Sequence, residues 1–462
     1  MIYMTKATDS TIHDLSGGNN TCHSEADRDS AQQCSVTSGR PRFNASRTER
    51  FCTLLSYVTA YFYILAFDFS FTSRIDWLFL VVCGGIVIIT ELLNRDRKRT
   101  TESFVWLGCF AICAVRLCFD LESRGAPESI VFAGAVWNWG EVLLFTHVFC
   151  VWWVLSRSGT FLEGQSGHLF PADALNGFIR FPFGNFFLRI KTVGTLFTSR
   201  TGAGSNRRNR WWTLLAAALC TVLFFIAAGL LKNADESFAG LLNRLRFRLN
   251  LNYGDFWHDF IFSLPVGCWL YGLMAGSRRC SEETLEKQRG SIYTFLNRIR
   301  RVPAMLWVVV TGFFTVLYLA FFIMQGSYLF GAFTRTLPEG FIVSQYAREG
   351  FFELCRVIAV NFTLLWLVTR MADGEARETR LFRAVCIAIL AESMLFAVIA
   401  FSKLALYISC FGFTPLRIKS TWLVCVLFAG CVCWTVNIFT EKPLFRMWML
   451  IGASSLALLT VL

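Results

Sequence analysis

Glu141, Glu353 and Glu392 each fall inside an apolar run long enough to enter a lipid bilayer. An ionisable group there costs about 2.5–3.5 kcal/mol on insertion scales, so it needs a partner, a water-filled cavity or a proton. Glu141 lies near the centre of the apolar segment 131–155, with Asn138 three residues earlier on the same helical face. An amide beside a carboxyl shares its proton or helps to hold an ion. Glu392 lies near the centre of segment 381–407. Neither has a basic residue within one helical turn. Glu353 belongs to the run Tyr346-Ala347-Arg348-Glu349-Gly350-Phe351-Phe352-Glu353-Leu354-Cys355-Arg356. Helical spacing puts Glu349, Glu353 and Arg356 on one face, with Tyr346 a turn below. Two readings stand side by side: a self-neutralising Glu–Arg pair, or a polar site open to one side of the membrane.

Other polar residues point less sharply. Asp255, His258 and Asp259 share a face and suit a metal or a proton relay, but the Gly254-Asp255 step also reads as a helix cap. His147, single in its segment, reads as a hydrogen-bonded bundle residue. The chain holds 17 cysteines, most of them in apolar runs where thiols behave as small hydrophobes. Cys22, His23 and Cys34 fit no strong zinc spacing. A phosphate-binding Gly-rich loop, a Gly-x-Ser-x-Gly elbow and a His-Glu-x-x-His helix are all missing. No catalytic constellation, metal site or cofactor motif is expected.

Helices must position these residues. The chain has 462 residues, 55% of them hydrophobic and 16% charged, and its long apolar runs recur from residue 51 to the end. A bilayer-spanning helix needs about 20 apolar residues. The pattern predicts an all-α polytopic membrane protein with about eleven spans. They are placed at 51–71, 75–94, 102–120, 131–155, 211–232, 255–276, 304–325, 347–371, 381–407, 415–440 and 444–462. Pro303, Pro415 and Pro443 sit where a helix start tolerates a missing N–H, and Thr414 suits an N-cap.

The net charge of +12 reads as the positive-inside signal and as attraction to anionic headgroups at the basic loops, not as nucleic-acid binding. If eleven spans alternate, one side holds roughly three times the Lys and Arg of the other. That side is the cytoplasm, which puts the amino terminus inside, the carboxyl terminus outside and the protein in the cell membrane. Residues 1–50 have no apolar signal core and read as a disordered cytoplasmic tail preceding a transmembrane domain over 51–462. Phe183, Phe186, Phe187, Ile190, Val193 and Phe197 fall on one helical face. They suggest either an interfacial amphipathic helix or a packing helix that closes the bundle. From Leu245 to Tyr253 apolar and polar residues alternate, which suits an extended segment as well as a helix.

The run from Tyr346 to Leu354 resembles a hallmark of an uncharacterised bacterial membrane family, the related domain-of-unknown-function groups numbered four-one-five-three and four-one-seven-three. A second stretch, Lys403-Leu404-Ala405-Leu406-Tyr407 with Phe411-Gly412-Phe413-Thr414 and Leu416-Arg417, is similar to the family pattern. Lys403 and Phe411 depart from it, standing where Arg and Tyr are expected. Ala234-Asp235 with Phe238 is a weaker third element. The likeness covers about residues 50–462. It implies a shared motif surface over Tyr346, Arg348, Gly350, Phe351, Glu353, Tyr407, Thr414 and Arg417, but no substrate.

Three functions fit. A transporter, permease or flippase-like protein would place Glu141, Asn138, Glu353, Arg356 or Glu392 around a cavity for a small molecule or lipid. A non-transporting scaffold, sensor or assembly partner would hold these charges in local contacts and bind another protein. A membrane-embedded enzyme would bring several of them to a groove open to lipid.

Overall fold

The structure is a computed structural model that describes residues 43–66, 77–118, 137–198, 253–299, 304–324, 326, 343–372, 379–440 and 444–461. The predicted span at 211–232, the alternating segment 245–252 and the tail cysteines lie outside the described residues. Ala45–Leu462 form one compact unit.

The described residues form helices and no β-strand. The principal ones are α1 (Arg47–Ala66), α2 (Trp77–Leu93), α3 (Thr101–Cys118), α4 (Trp139–Ser158), α5 (Leu188–Thr198), α6 (Tyr253–Arg279), α7 (Glu282–Ile299), α8 (Ala304–Met324), α9 (Val343–Met371), α10 (Arg380–Phe411), α11 (Pro415–Phe439) and α12 (Leu444–Leu459). Among the described residues seven are long and apolar enough to cross a membrane: α3, α4, α6, α8, α9, α10 and α11. The apolar stretches of α2 and α12 are shorter. The all-helical, membrane-embedded class therefore holds, with seven candidate spans among the described residues.

Two cores divide the unit. The first gathers α1 to α4, α6 and the connection after α4, with Trp153, Tyr271, Phe110 and Leu155 at its centre. The second gathers α8 to α11 around Ile358, Leu365, Ile389 and Phe396. α12 packs on both α3 and α11 and so ties the two together. Outside the cores, large apolar side chains face outward. On α8, Met305, Phe313, Val316 and Ile323 are each more than 60% exposed. A helix apolar all round, bare on its outer face, suits lipid and not water.

The Phe-rich connection after α4 packs inward and also displays an apolar face. Gly272 lies against the Pro182 carbonyl and Gly276 against Asn185, so the glycines of α6 let that backbone approach closely. Gly267 leaves room for the guanidinium of Arg189, which is fully buried. Phe183, Phe187 and Ile190 remain exposed on the other side. The inward contacts fit the packing alternative, and the exposed side chains leave an apolar outer face. Of the prolines expected at helix starts, Pro415 stands in the first turn of α11. Thr414 occupies the N-cap position but makes no side-chain cap bond.

Candidate functional site

Among the candidate carboxylates, Glu141 departs most from its expected place. It is not central in a span but sits in the first turn of α4. The Asn138 side chain accepts from the Glu141 N–H at 2.9 Å, and the Glu141 carboxylate accepts from the Asn138 N–H at 3.0 Å. This reciprocal box satisfies helix-end donors, and a carboxylate there also complements the helix dipole. A basic partner arrives from far along the chain, Lys419 of α11, whose Nζ lies 2.5 Å from Glu141 Oε2 and 4.5 Å from the centre of the Trp137 ring. Asn138 and Glu141 are therefore a cap and an ion pair that ties α4 to α11.

Glu392 lies where expected, in the middle of α10, and is 7% exposed. Beside it runs a chain of hydrogen bonds through three helices. Tyr318 of α8 donates to Asn361 Oδ1 at 2.7 Å. Asn361 Nδ2 donates to Ser393 Oγ at 2.9 Å, and Ser393 passes the bond to the Ile389 carbonyl at 2.7 Å. Asn361 and Ser393 are fully buried. Glu392 Oε2 is buried without a hydrogen-bond partner, and its charge acts on Tyr318. Buried polar atoms are rarely left so, because each costs roughly 1–3 kcal/mol.

A second polar contact lies on the same seam of α9 and α10. Gly350 packs directly against the Nζ of Lys403, which is fully buried. The carboxylate of Glu353, a turn further along α9, acts on that ammonium. Lys403 is eleven residues after Glu392, and Asn361 is eleven after Gly350. Three helical turns bring a residue back to nearly the same face, so the two polar levels stand about 16 Å apart on one seam. Between them Leu354, Ile358, Phe396, Ile399 and Ala400 are all buried. That apolar layer separates the levels.

Tyr407 and Arg417 come together across the turn from α10 to α11. The Arg417 guanidinium lies 4.1 Å over the Tyr407 ring and donates to the Phe411 carbonyl at 2.8 Å and to that of Gly412. A cation on the last carbonyls of a helix is favourable, and the ring adds a cation–π contact. Gly412 has φ +75°, a conformation that disfavours a side chain. Glu353 and Arg356 are both exposed. Tyr346 and Arg348 fall in the first turns of α9, where side chains lie outside the described residues.

These positions carry the sequence patterns that matched across α9, α10 and α11, and a family model matches residues 128–462. The chain belongs to the family described as Domain of unknown function (DUF4153). The match begins before α4, later than the expected start near residue 50. No curated protein and no solved structure matches the chain. Within this DUF4153 chain, Gly350 and Lys403, from the two motif stretches, meet face to face.

Several further contacts are seen in three dimensions. Glu102 is 2% exposed and accepts from Trp106 Nε1 at 3.0 Å, from the Ser166 N–H at 3.2 Å and from Arg446 Nε at 3.1 Å. Arg157 pairs with Glu91 at 3.0 Å and donates to the Asn94 carbonyl at 2.8 Å. His147 joins α4 to α1 through a 2.7 Å bond with the Tyr63 hydroxyl, while its Nδ1 lies 2.7 Å from the Leu143 carbonyl. In the connection after α4, burial pushes the Asp173 carboxyl up to about 7, although the Leu162 N–H opposes this at 2.9 Å. Spacing along the chain gives no signal for Asp173, whose partner is a backbone N–H, whereas Glu102 has Trp106 one helical turn on and only Ser166 and Arg446 are remote.

Proposed function

We propose that this integral membrane protein is a transporter or permease of flippase-like type in which Glu392 takes up and releases a proton. The observation that supports this reading is the carboxyl oxygen of Glu392, buried in the second core without a hydrogen-bond partner beside the Tyr318–Asn361–Ser393 chain. A structural carboxylate is normally saturated with donors, as Glu102 is. One held short of partners is suited to exchange a proton with a solute or with water that enters when the helices move. Lys and Arg distribution supports an amino terminus in the cytoplasm.

A non-transporting scaffold or sensor is favoured by a different observation. Glu141 is held in a local contact with Lys419, and Glu353 is exposed. The apolar layer on the α9–α10 seam separates Glu353 from Glu392.

Proteoliposomes containing a trapped pH-sensitive dye, under an imposed pH gradient, test the choice. Pools of amino acids, organic acids, sugars and short-chain lipids are added in turn. Transport predicts that at least one pool dissipates the gradient with the wild-type protein and not with Glu392→Gln of equal thermal stability. Equal dissipation by the variant removes Glu392 from the mechanism. A gradient that no pool disturbs leaves the scaffold or sensor reading in place.

A further inference from the structure

The connection after α4 carries a continuous apolar stripe into α5. Leu175, Ile179, Phe183, Phe187 and Ile190 follow one another at steps of four, four, four and three residues. Such steps keep to one face of a helix. All five side chains are between 53% and 64% exposed. Asn176, Phe181 and Leu188, between them in the chain, are buried. The inner side of the connection is therefore fully engaged by the bundle, and the stripe is what it leaves outside.

Its depth follows from the inward contacts. Gly177 packs against Leu155, three residues before the end of α4, and Asn185 against Gly276, three before the end of α6. Pro182 meets Gly272, seven before that end. Arg97 donates to the Ser158 and Arg278 carbonyls, so the two helix ends lie on one side of the membrane. At 1.5 Å per residue, the connection packs about 5–10 Å inside those ends. That is the depth of an interfacial segment, about 5–10 Å into the boundary of headgroups and acyl chains. Charge points the same way. Cations at the helix ends are already matched, with Arg157 on Glu91, Arg278 on Asp96 and Arg279 on Glu49. Arg180 and Lys191, next in the chain to Ile179 and Ile190, are exposed, and neither side chain has an ion-pair partner among the described residues.

We infer that this stripe docks an anionic phospholipid of the surrounding bilayer, its acyl chains against Ile179, Phe183 and Phe187 and its phosphate between Arg180 and Lys191. A guanidinium or ammonium on a phosphate makes the strong, charge-assisted kind of hydrogen bond. The apolar side chains are continuous with the lipid-facing surface of the spans and supply the rest of the contact. The surface contains neither Glu392 nor Lys403, and so stands independently of the transport reading.

The test uses the full chain in nanodiscs of mixed phosphatidylcholine and phosphatidylglycerol. With p-benzoylphenylalanine in place of Phe187, irradiation is expected to attach a phospholipid to the peptide that holds position 187, read by mass spectrometry. A crosslink to protein instead identifies a polypeptide as the cover and overturns the inference. Native mass spectrometry of the wild type is expected to retain phosphatidylglycerol in preference to phosphatidylcholine. The double variant Arg180→Gln/Lys191→Gln should lose about tenfold or more of that preference, since each cation near an anionic surface contributes about fivefold. Lys287→Gln, on the exposed surface of α7, is expected to retain it. Equal retention of the two lipids by the wild type overturns the inference, as does an unchanged preference in the double variant at wild-type thermal midpoint. The crosslink decides the matter if the double variant fails to fold.

Discussion

The two cores of this protein treat buried charge differently. In the first, Glu102 is saturated by an indole, a serine N–H and Arg446, and Arg157 is held by Glu91 and backbone carbonyls. Arg189 is fully buried and donates to Ser56 Oγ at 3.1 Å and to the Leu264 carbonyl at 3.2 Å, with the Tyr57 ring 3.5 Å away, while its Nη2 has no hydrogen-bond partner. In the second core, Glu392 keeps an oxygen with no hydrogen-bond partner. Saturated charges lock helices together. Undersupplied ones cost free energy in the resting structure, and persist most readily where a proton or ligand completes them.

The sharpest way to break this comparison is to remove a saturated charge. Glu102→Ala leaves Arg446 without its carboxylate and is expected to destabilise the protein by about 3–5 kcal/mol, read as a large fall in thermal midpoint in detergent. A loss below about 1 kcal/mol would mean that the first core is no better knit than the second. Next in size is Gly350→Ala. Its Cβ would run into the end of Lys403, at a cost of about 1–3 kcal/mol for overpacking. Shortening the neighbour in Gly350→Ala/Lys403→Ala should recover part of that loss relative to the sum of the single variants, and strict additivity would show that the two residues do not meet.

Glu392→Gln should move the other way from Glu102→Ala. With an unpartnered oxygen in place of a saturated one, stability is expected to hold or to rise by about 1 kcal/mol. A fall comparable to that of Glu102→Ala would place Glu392 among the structural charges. The smallest effect concerns Asp173 in the first core, whose Oδ2 is buried without a hydrogen-bond partner. Its carboxyl is raised from 3.8 to about 7 by burial, so the folded state binds the proton more tightly than the unfolded chain. Stability from this group is complete below the unfolded value and declines as pH rises from about 4 to about 7. Asp173→Asn should flatten melting curves recorded across that window, and an unchanged slope would show that Asp173 does not set it.

Much of the architecture was legible in the chain. Apolar length predicts the helices from α8 to α11 closely, because their runs are bounded by charge or by turn residues such as Gly412 and Pro415. Glu392 was recognisable as a buried carboxylate for the same reason. Glu141 was misplaced because hydropathy cannot distinguish the middle of an apolar run from a cap within it. Asn138 with φ −71° and ψ 161° starts the helix there, and the local Asn-x-x-Glu pattern was the available signal.

The sequence by itself determined the class of the protein, an all-helical membrane chain whose motif stretches fall on α9, α10 and the start of α11. Both are local properties: helical period and apolar length are written in neighbouring residues. The tertiary structure alone decided which polar groups meet. Lys419 reaches Glu141 across 278 positions, and Arg446 reaches Glu102 across 344. Helix packing selects such pairs through close approach, as at Gly350 against Lys403, and no spacing along one helix encodes the neighbour that another will bring.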